Sequence, residues 1–266
     1  MIRLVASDMD GTILRNGAQT LPPRMLPLIQ KLHEKNILFV AASGRQYNGL
    51  RKLLGPVAHQ CDYICENGAM AVHNDKIIYK ALFDHDMGNA LMEDIWKHKD
   101  CEIQLSAPEA VYIQAKDPSF AWHVKNVLHN KTIETDNIFH TGAEYIKISA
   151  YVHGDHTMDC LEMFKQKWNE HFLVVSTCEH WIDFVPPHIH KGSALKALLE
   201  CVGISSKEVM SFGDNYNDIE LLSMSGISCA VSDAVPELIQ IADHTCSSVE
   251  DTLEQFLSRL SDSEPF

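Results

Sequence analysis

Short apolar runs alternate with stretches whose apolar positions recur every three or four residues, both at the start of the chain and after residue 190. The short runs predict buried strands, and the longer stretches predict amphipathic helices. The predicted elements are strands at 2–7, 37–42, 62–65, 69–73, 76–79, 208–212, 226–231 and 243–246, and helices at 22–35, 46–54, 191–201, 215–224, 235–241 and 249–260. This alternation is typical of a parallel sheet with helices on both faces, so we predict a doubly wound α/β core.

The middle of the chain follows a different pattern. Predicted helices at 86–98, 118–128 and 157–169 alternate with strands near 101–114, 145–152 and 171–185. Helices that alternate with strand pairs favour an α+β layer built on an antiparallel sheet. We therefore predict a Rossmann-like core of residues 1–83 and 187–266 with an inserted α+β cap domain at 84–186. We expect this cap to act as a lid and to set substrate specificity.

Two predicted strands end in clusters of carboxylates. Asp8 and Asp10 come at the end of the first strand, and Asp214 and Asp218 follow the strand at 208–212. Ligands of open α/β sheets bind beyond the carboxyl ends of the strands, so the four acids converge if the two strands are neighbours. Acids at this spacing repel one another unless a cation or a shared proton intervenes, and hard oxygen ligands without nearby Cys or His suit Mg²⁺. The alternative is that each Asp only caps a turn or a helix.

Four short motifs resemble, in this order, those of the haloacid dehalogenase superfamily and, within it, the Cof-like hydrolases with a type IIB cap. The motifs lie at 8–12, 40–45, 191–195 and 213–218, and the turn at 66–69 is also similar. The resemblance covers nearly the whole chain. It implies a Mg²⁺-dependent phosphatase, a hydrolase of phosphoric monoesters, that acts on a small phosphorylated metabolite such as a sugar phosphate.

The resemblance also implies a role for each acid. Asp8 would attack phosphorus and form an aspartyl-phosphate, which divides hydrolysis into two easier steps. Asp10 would protonate the leaving oxygen, later activate water, and bind the metal through its backbone carbonyl. Asp8 and Asp214 would contribute carboxylate oxygens to Mg²⁺, with Asp218 beside them.

Other residues of the motifs offer contacts to phosphate. Ser43 supplies a hydroxyl donor, and Lys191 supplies a point positive charge. The backbone amides of Gly11 and Gly44 can approach phosphate closely because no side chain blocks them.

Three further candidate side chains lie in the motifs and in the turn at 66–69. We interpret Asn67, in the turn at 66–69, as a substrate ligand, and Asn217 as orienting either Lys191 or the phosphate. Arg45 either binds substrate or pairs with an acid at the surface.

Composition limits the partners of the chain. The formal net charge of −14 over 266 residues argues against binding to nucleic acid or to anionic membranes, because both need basic faces. No charged and apolar leader precedes the first strand, and no apolar run approaches the length of a membrane span, so we expect a cytoplasmic protein. The eight scattered cysteines are typical of small buried apolar side chains.

Two other functions use the same residues. A phosphomutase or phosphotransferase would form the same intermediate and pass its phosphoryl group to another acceptor. A non-catalytic binding protein on this scaffold is the third reading, although an inert scaffold has no reason to keep a costly cluster of acids.

Overall fold

The chain forms two compact units in a computed structural model that describes residues 1–128 and 130–261. The first, which we call the core unit, comprises Met1–Tyr79 and the chain from His190 onward, and the second, the insert unit, comprises Lys80–Ile189. Residue 129 of the predicted cap and residues 262–266 of the predicted core lie outside the described part of the chain.

Strands and helices alternate along the core unit as the apolar pattern predicts. The strands of the chain are β1 (Leu4–Asp8), β2 (Leu38–Ala42), β3 (Cys61–Cys65), β4 (Met70–His73), β5 (Lys76–Lys80), β6 (Cys101–Ser106), β7 (Val111–Ile113), β8 (Thr132–Glu134), β9 (Lys147–Val152), β10 (Leu173–Cys178), β11 (Trp181–Val185), β12 (Val209–Gly213), β13 (Ile227–Val231) and β14 (His244–Cys246). The helices are α1 (Met25–Glu34), α2 (Tyr47–Leu54), α3 (His85–Lys97), α4 (Pro118–Asn126), α5 (Thr157–Trp168), α6 (Lys191–Val202), α7 (Ile219–Met224), α8 (Pro236–Ile241) and α9 (Val249–Ser261).

The core unit is built on one eight-stranded sheet in the order β14-β13-β12-β1-β2-β3-β4-β5. Strand β1 lies between β12 and β2 and pairs in parallel with both. Every residue of β1, β3 and β12 is buried, as expected for strands that are covered on both faces. The predicted doubly wound sheet is confirmed. Its strand order also brings the ends of β1, β2 and β12, which carry the site residues, to the same edge.

The insert unit has its own sheet, in the order β10-β11-β9-β6-β7-β8. Most neighbours are antiparallel, but β7 and β8 pair in parallel. Apolar side chains of α3 and α5, such as Leu91 and Phe164, form one buried cluster with Ile103, Ile148 and Phe184 of the strands. The insert is therefore an α+β unit, as predicted.

Three elements differ from the prediction. Residues 215–224 are a 3₁₀ turn followed by α7 rather than one helix, because Asp218 accepts hydrogen bonds from the backbone amides of Asp214 and Asn215 and tightens the turn. The pattern does not predict β8, whose three residues are too few to show alternation. Helix α1 begins only at Met25, so that Pro27 lies in the first turn, where its missing N–H costs no hydrogen bond.

Within the described ranges, no helix combines the length and the apolar character needed to cross a bilayer.

A buried carboxylate ties two helices of the insert unit together. Asp94 of α3 accepts a hydrogen bond from the indole Nε1 of Trp168 at 2.9 Å and is also bonded by Lys167, both from α5. Burial alone would raise the pKa of Asp94, but the bonds from Lys167 and Trp168 outweigh burial and hold the pKa below its usual value. The charged form is thus favoured in the folded protein.

Replacing this carboxylate should destabilise the protein. We expect Asp94→Ala to lower the free energy of unfolding by about 1–3 kcal/mol, because the buried Trp168 N–H loses its acceptor. Urea unfolding of the full chain at neutral pH measures the effect, with Asp155→Ala in an exposed loop of the same unit as the control.

The effect of Asp94→Ala should also depend on pH. The charge contributes fully above the unfolded pKa of about 3.9, and its contribution is lost as the pH falls through the lower folded pKa. The difference in the free energy of unfolding between the wild type and the variant should therefore become smaller below about pH 4. If this difference did not change as the pH fell below about 4, the charge of Asp94 would not contribute to stability.

Candidate active site

Three carboxylates meet at the carboxyl ends of β1 and β12. Asp8 is the last residue of β1, Asp214 follows β12, and Asp218 lies in the next turn. One oxygen from each of the three lies within 4.8 Å of the others. The carboxylate of Asp10 is not part of this group.

A buried lysine joins two of these acids. Lys191 is the first residue of α6 and is fully buried. Its Nζ donates to Oδ1 of Asp8 at 2.5 Å and to Oδ1 of Asp218 at 2.6 Å. The second oxygen of Asp218 accepts from the backbone N–H groups of Asp214 (3.0 Å) and Asn215 (3.1 Å). Both oxygens of Asp218 are therefore occupied by donors from the chain itself.

The acids share more negative charge than one lysine balances. Burial raises the pKa of Asp8 well above its usual value, and the nearby Asp218 and Asp214 add to the increase against the opposing effect of Lys191. Burial also raises the pKa of Asp214. Burial alone would lower the pKa of Lys191, but Asp218 and Asp8 raise it above its usual value. The site therefore favours a further positive charge.

Two of the acids have oxygens suited to hold a cation. Oδ2 of Asp8 is buried and accepts no hydrogen bond from any residue that the structure describes. Asp214 is half-buried, and its Oδ1 accepts from the Thr12 hydroxyl at 2.8 Å. These are hard oxygen donors of the kind that bind Mg²⁺. Asp218, bonded as it is to Lys191 and two amides, fits a supporting position beside such an ion.

Glycine is required at position 11 for this arrangement. Gly11 has φ +98°, and a Cβ placed on it would lie 2.1 Å from Oδ2 of Asp214. No other residue could hold the turn after β1 and still leave room for that carboxylate.

Asp10 lies apart from the three acids and is bonded to Arg45 instead. Nε of Arg45 donates to Oδ2 of Asp10 at 2.9 Å, and its Nη2 donates to Oδ1 at 2.6 Å. The Ser43 hydroxyl donates to Oδ2 at 3.2 Å. Of the two roles left open for Arg45, pairing with an acid is the one seen, and that acid is Asp10, whose side chain is 47% exposed.

The side-chain amides of Asn67 and Asn217, both predicted at the site, are hydrogen-bonded to each other. Nδ2 of Asn217 donates to Oδ1 of Asn67 at 3.2 Å. The contacts recorded for the Lys191 ammonium group are with Asp8 and Asp218, so the orienting role of Asn217 stays a prediction. A Cβ on Gly44 would lie 3.0 Å from Oδ1 of Asn67, so these three residues are neighbours.

The sequence alone assigns no role to Thr12 or to His190. Thr12 orients Asp214, and its place at the end of the first motif is the signal that could have identified it. His190 accepts from the backbone N–H of Ser193 through Nδ1 (3.1 Å) and so caps α6 at the residue before Lys191. The sequence carries no distinct signal for histidine in this role, because Ser, Thr, Asp and Asn are the usual caps.

Comparison with known proteins identifies the family. A family model described as haloacid dehalogenase-like hydrolase matches residues 5–253. The chain belongs to this family. The predicted superfamily and the predicted hydrolase class are thereby confirmed.

Relatives of this hydrolase match it along nearly their whole length. The 5-amino-6-(5-phospho-D-ribitylamino)uracil phosphatase YbjI of Escherichia coli (strain K12) is 26% identical over 247 residues, 93% of this chain and 91% of the relative. A crystal structure from Eubacterium rectale has 29% identity and a TM-score of 0.84, with 96% of this chain and 99% of that chain covered. The subclass IIB sugar phosphatase BT4131 shares the fold at 19% identity, with a TM-score of 0.77 and coverage of 96% and 98%.

The buried lysine of this hydrolase should be needed for stability. We expect Lys191→Met to lower the free energy of unfolding by about 3–5 kcal/mol without added divalent cations, because Asp8 and Asp218 lose their partner in a buried site. Lys196→Met, on the exposed face of the same helix, is the matched control. Denaturant unfolding measures both, and a loss no larger than that of the control would refute the predicted coupling.

Proposed function

We propose that the chain is a Mg²⁺-dependent phosphatase that hydrolyses a small phosphorylated metabolite through an aspartyl-phosphate on Asp8. The observation that carries the proposal is the state of the Asp8 carboxylate. One of its oxygens is bonded to the buried Lys191, while the other is buried without a donor among the described residues. A carboxylate fixed in this way can place one oxygen on a cation and turn the other toward phosphorus.

The first step transfers the phosphoryl group to the protein. The oxygen of Asp8 that does not hold the cation forms a bond to phosphorus as the bond from phosphorus to the leaving oxygen breaks. Lys191 neutralises charge on Asp8 as the anionic phosphate approaches, and the Ser43 hydroxyl can rotate from Asp10 to a phosphate oxygen. Fixed charges of this kind supply most of the catalysis in phosphoryl transfer.

Asp10 moves the protons in both steps. Its protonated carboxyl gives a proton to the leaving oxygen, so that an alcohol departs. The resulting carboxylate then takes a proton from a water molecule, whose oxygen attacks the phosphorus of the aspartyl-phosphate and releases inorganic phosphate and free Asp8. The partial exposure of Asp10 supports this role, because a group that exchanges protons with substrate and water must be reachable.

The metal would be held by the carboxylates of Asp8 and Asp214 and by the backbone carbonyl of Asp10, with Asp218 beside them. Bound Mg²⁺ supplies positive charge that lets Asp8 remain ionised next to a phosphate. The buried oxygen of Asp8 and the raised pKa values of Asp8 and Asp214 support the fit.

The names of the relatives and the net charge of the chain support the proposed substrate class. Two of the similar proteins are named as phosphatases, one of a ribitylaminouracil phosphate and one of sugars. We infer a small phosphomonoester and not a nucleic acid, since the net charge is −14. We also propose that the α+β insert selects among such compounds.

The nucleophile should be indispensable for activity. We expect Asp8→Asn to lower phosphate release by several orders of magnitude while the protein stays folded, because an amide cannot form the acyl-phosphate. Release of inorganic phosphate from a panel of phosphorylated metabolites, with Mg²⁺ and with chelator, measures this. Asp251→Asn, at a surface ion pair of the same unit, is the control.

Two outcomes would contradict the proposal. An active Asp8→Asn variant would remove Asp8 as nucleophile. A phosphate group that moves to another position or acceptor without release would indicate a mutase or a transferase.

The metal requirement should shift when a ligand is weakened. We expect Asp214→Asn to raise the Mg²⁺ concentration for half-maximal phosphate release by about tenfold or more. Losing a residue that only hydrogen-bonds to a metal ligand already lowers metal affinity by about tenfold, and a direct ligand should matter at least as much. Titration of activity with Mg²⁺ measures it. An unchanged requirement would exclude Asp214 as a ligand.

A further inference from the structure

The guanidinium group of Arg45 binds both oxygens of Asp10. Nε lies 3.1 Å from Oδ1 and 2.9 Å from Oδ2, and Nη2 lies 2.6 Å from Oδ1. A planar guanidinium that contacts a carboxylate at two points fixes its orientation as well as its position. This contact is more specific than a single surface ion pair.

Arg45 is itself held on several sides. Its backbone N–H donates to the Ser43 hydroxyl at 3.1 Å, and its backbone carbonyl accepts from the N–H of Glu66 at 3.1 Å. Nη2 also donates to Oε1 of Gln19 at 3.3 Å. The ends of β2 and β3 therefore fix the position of Arg45, and Arg45 in turn fixes the position of Asp10.

Asp10 has few other restraints. Its side chain is 47% exposed, and among the described residues its carboxylate accepts hydrogen bonds from Arg45 and Ser43 alone. The four recorded contacts, two to each oxygen, use about all of the lone-pair sites of the ionised carboxylate, so a proton on Oδ2 replaces the Ser43 contact, which is the longest of the four. When Asp10 carries the proton, its other oxygen can still accept from Arg45.

We propose that Arg45 is a positioning residue for Asp10 and holds it where its proton reaches the leaving oxygen. This inference rests on the proposed phosphatase function. It assigns Arg45 to the acid/base and not to the phosphate group of the substrate.

The inference predicts a penalty that depends on the leaving group. An alkoxide needs a proton as it leaves, whereas para-nitrophenolate is stable without one. We therefore expect Arg45→Ala to lower kcat/KM for glycerol phosphate by roughly 10- to 100-fold, within the range that a positioned general acid contributes. The value for para-nitrophenyl phosphate should change little, because kcat/KM covers only the steps up to departure of the leaving group.

A double-mutant cycle tests whether Arg45 acts through Asp10. Asp10→Asn should show the same leaving-group dependence, and the Arg45→Ala/Asp10→Asn double variant should be no worse than Asp10→Asn alone. Arg45→Lys should recover part of the loss, since lysine keeps the charge without the two-point contact. Arg51→Ala, which breaks another arginine–aspartate pair of the core unit, is the matched control and should leave both values unchanged.

Each contrary result has a distinct meaning. An equal loss on both phosphates, or a double variant clearly worse than Asp10→Asn, would overturn the inference and place Arg45 on the substrate, while the proposed phosphatase would stand. If Asp10→Asn showed no dependence on the leaving group, the acid role of Asp10 would fail together with the inference. If the wild type hydrolysed neither compound nor any metabolite of the panel, the proposed function itself would fail.

Discussion

The site depends on one buried interaction, the hydrogen bonds from Lys191 to Asp8 and Asp218. The ammonium is fully buried, and it links the end of β1 to the turn after β12 through the first residue of α6. Two carboxylates could not stay ionised and buried at this distance without it. Because the lysine neutralises only part of the charge, the same interaction leaves negative charge on Asp8 and Asp214 that the cation of the proposed function would balance.

The strand order makes this interaction possible. Strands β12, β1 and β2 are adjacent and parallel, so their carboxyl ends deliver Asp214, Asp8 and Ser43 to one edge of the sheet. The loops there are packed so closely that side chains are excluded at particular points. A Cβ on Gly68, for example, would lie 2.2 Å from the carbonyl oxygen of His190. The turn after β3 and the start of α6 thus fix each other, and α6 in turn fixes Lys191.

The sequence predicts the sheet and its acids well because both follow from local patterns. Apolar runs identify β1 and β12, and three of the four predicted acids meet because these strands are neighbours, whereas Asp10 pairs with Arg45 instead. The partners of individual side chains were harder to foresee. Arg45 binds Asp10, and Asn217 donates to Asn67. Both contacts depend on loop paths and rotamers that the spacing of residues does not encode. The division of residues 215–224 into a 3₁₀ turn and α7 also depends on a side-chain contact, since Asp218 tightens the turn.

The most direct test of this account is to trap the covalent intermediate. The wild-type protein would be mixed with Mg²⁺ and its best substrate, quenched in acid within the first turnover, digested and examined by mass spectrometry. The account predicts one phosphoryl group on the peptide that contains Asp8 and none in the Asp8→Asn variant. Turnover without any phosphorylated peptide, or a phosphoryl group on another residue, would contradict it.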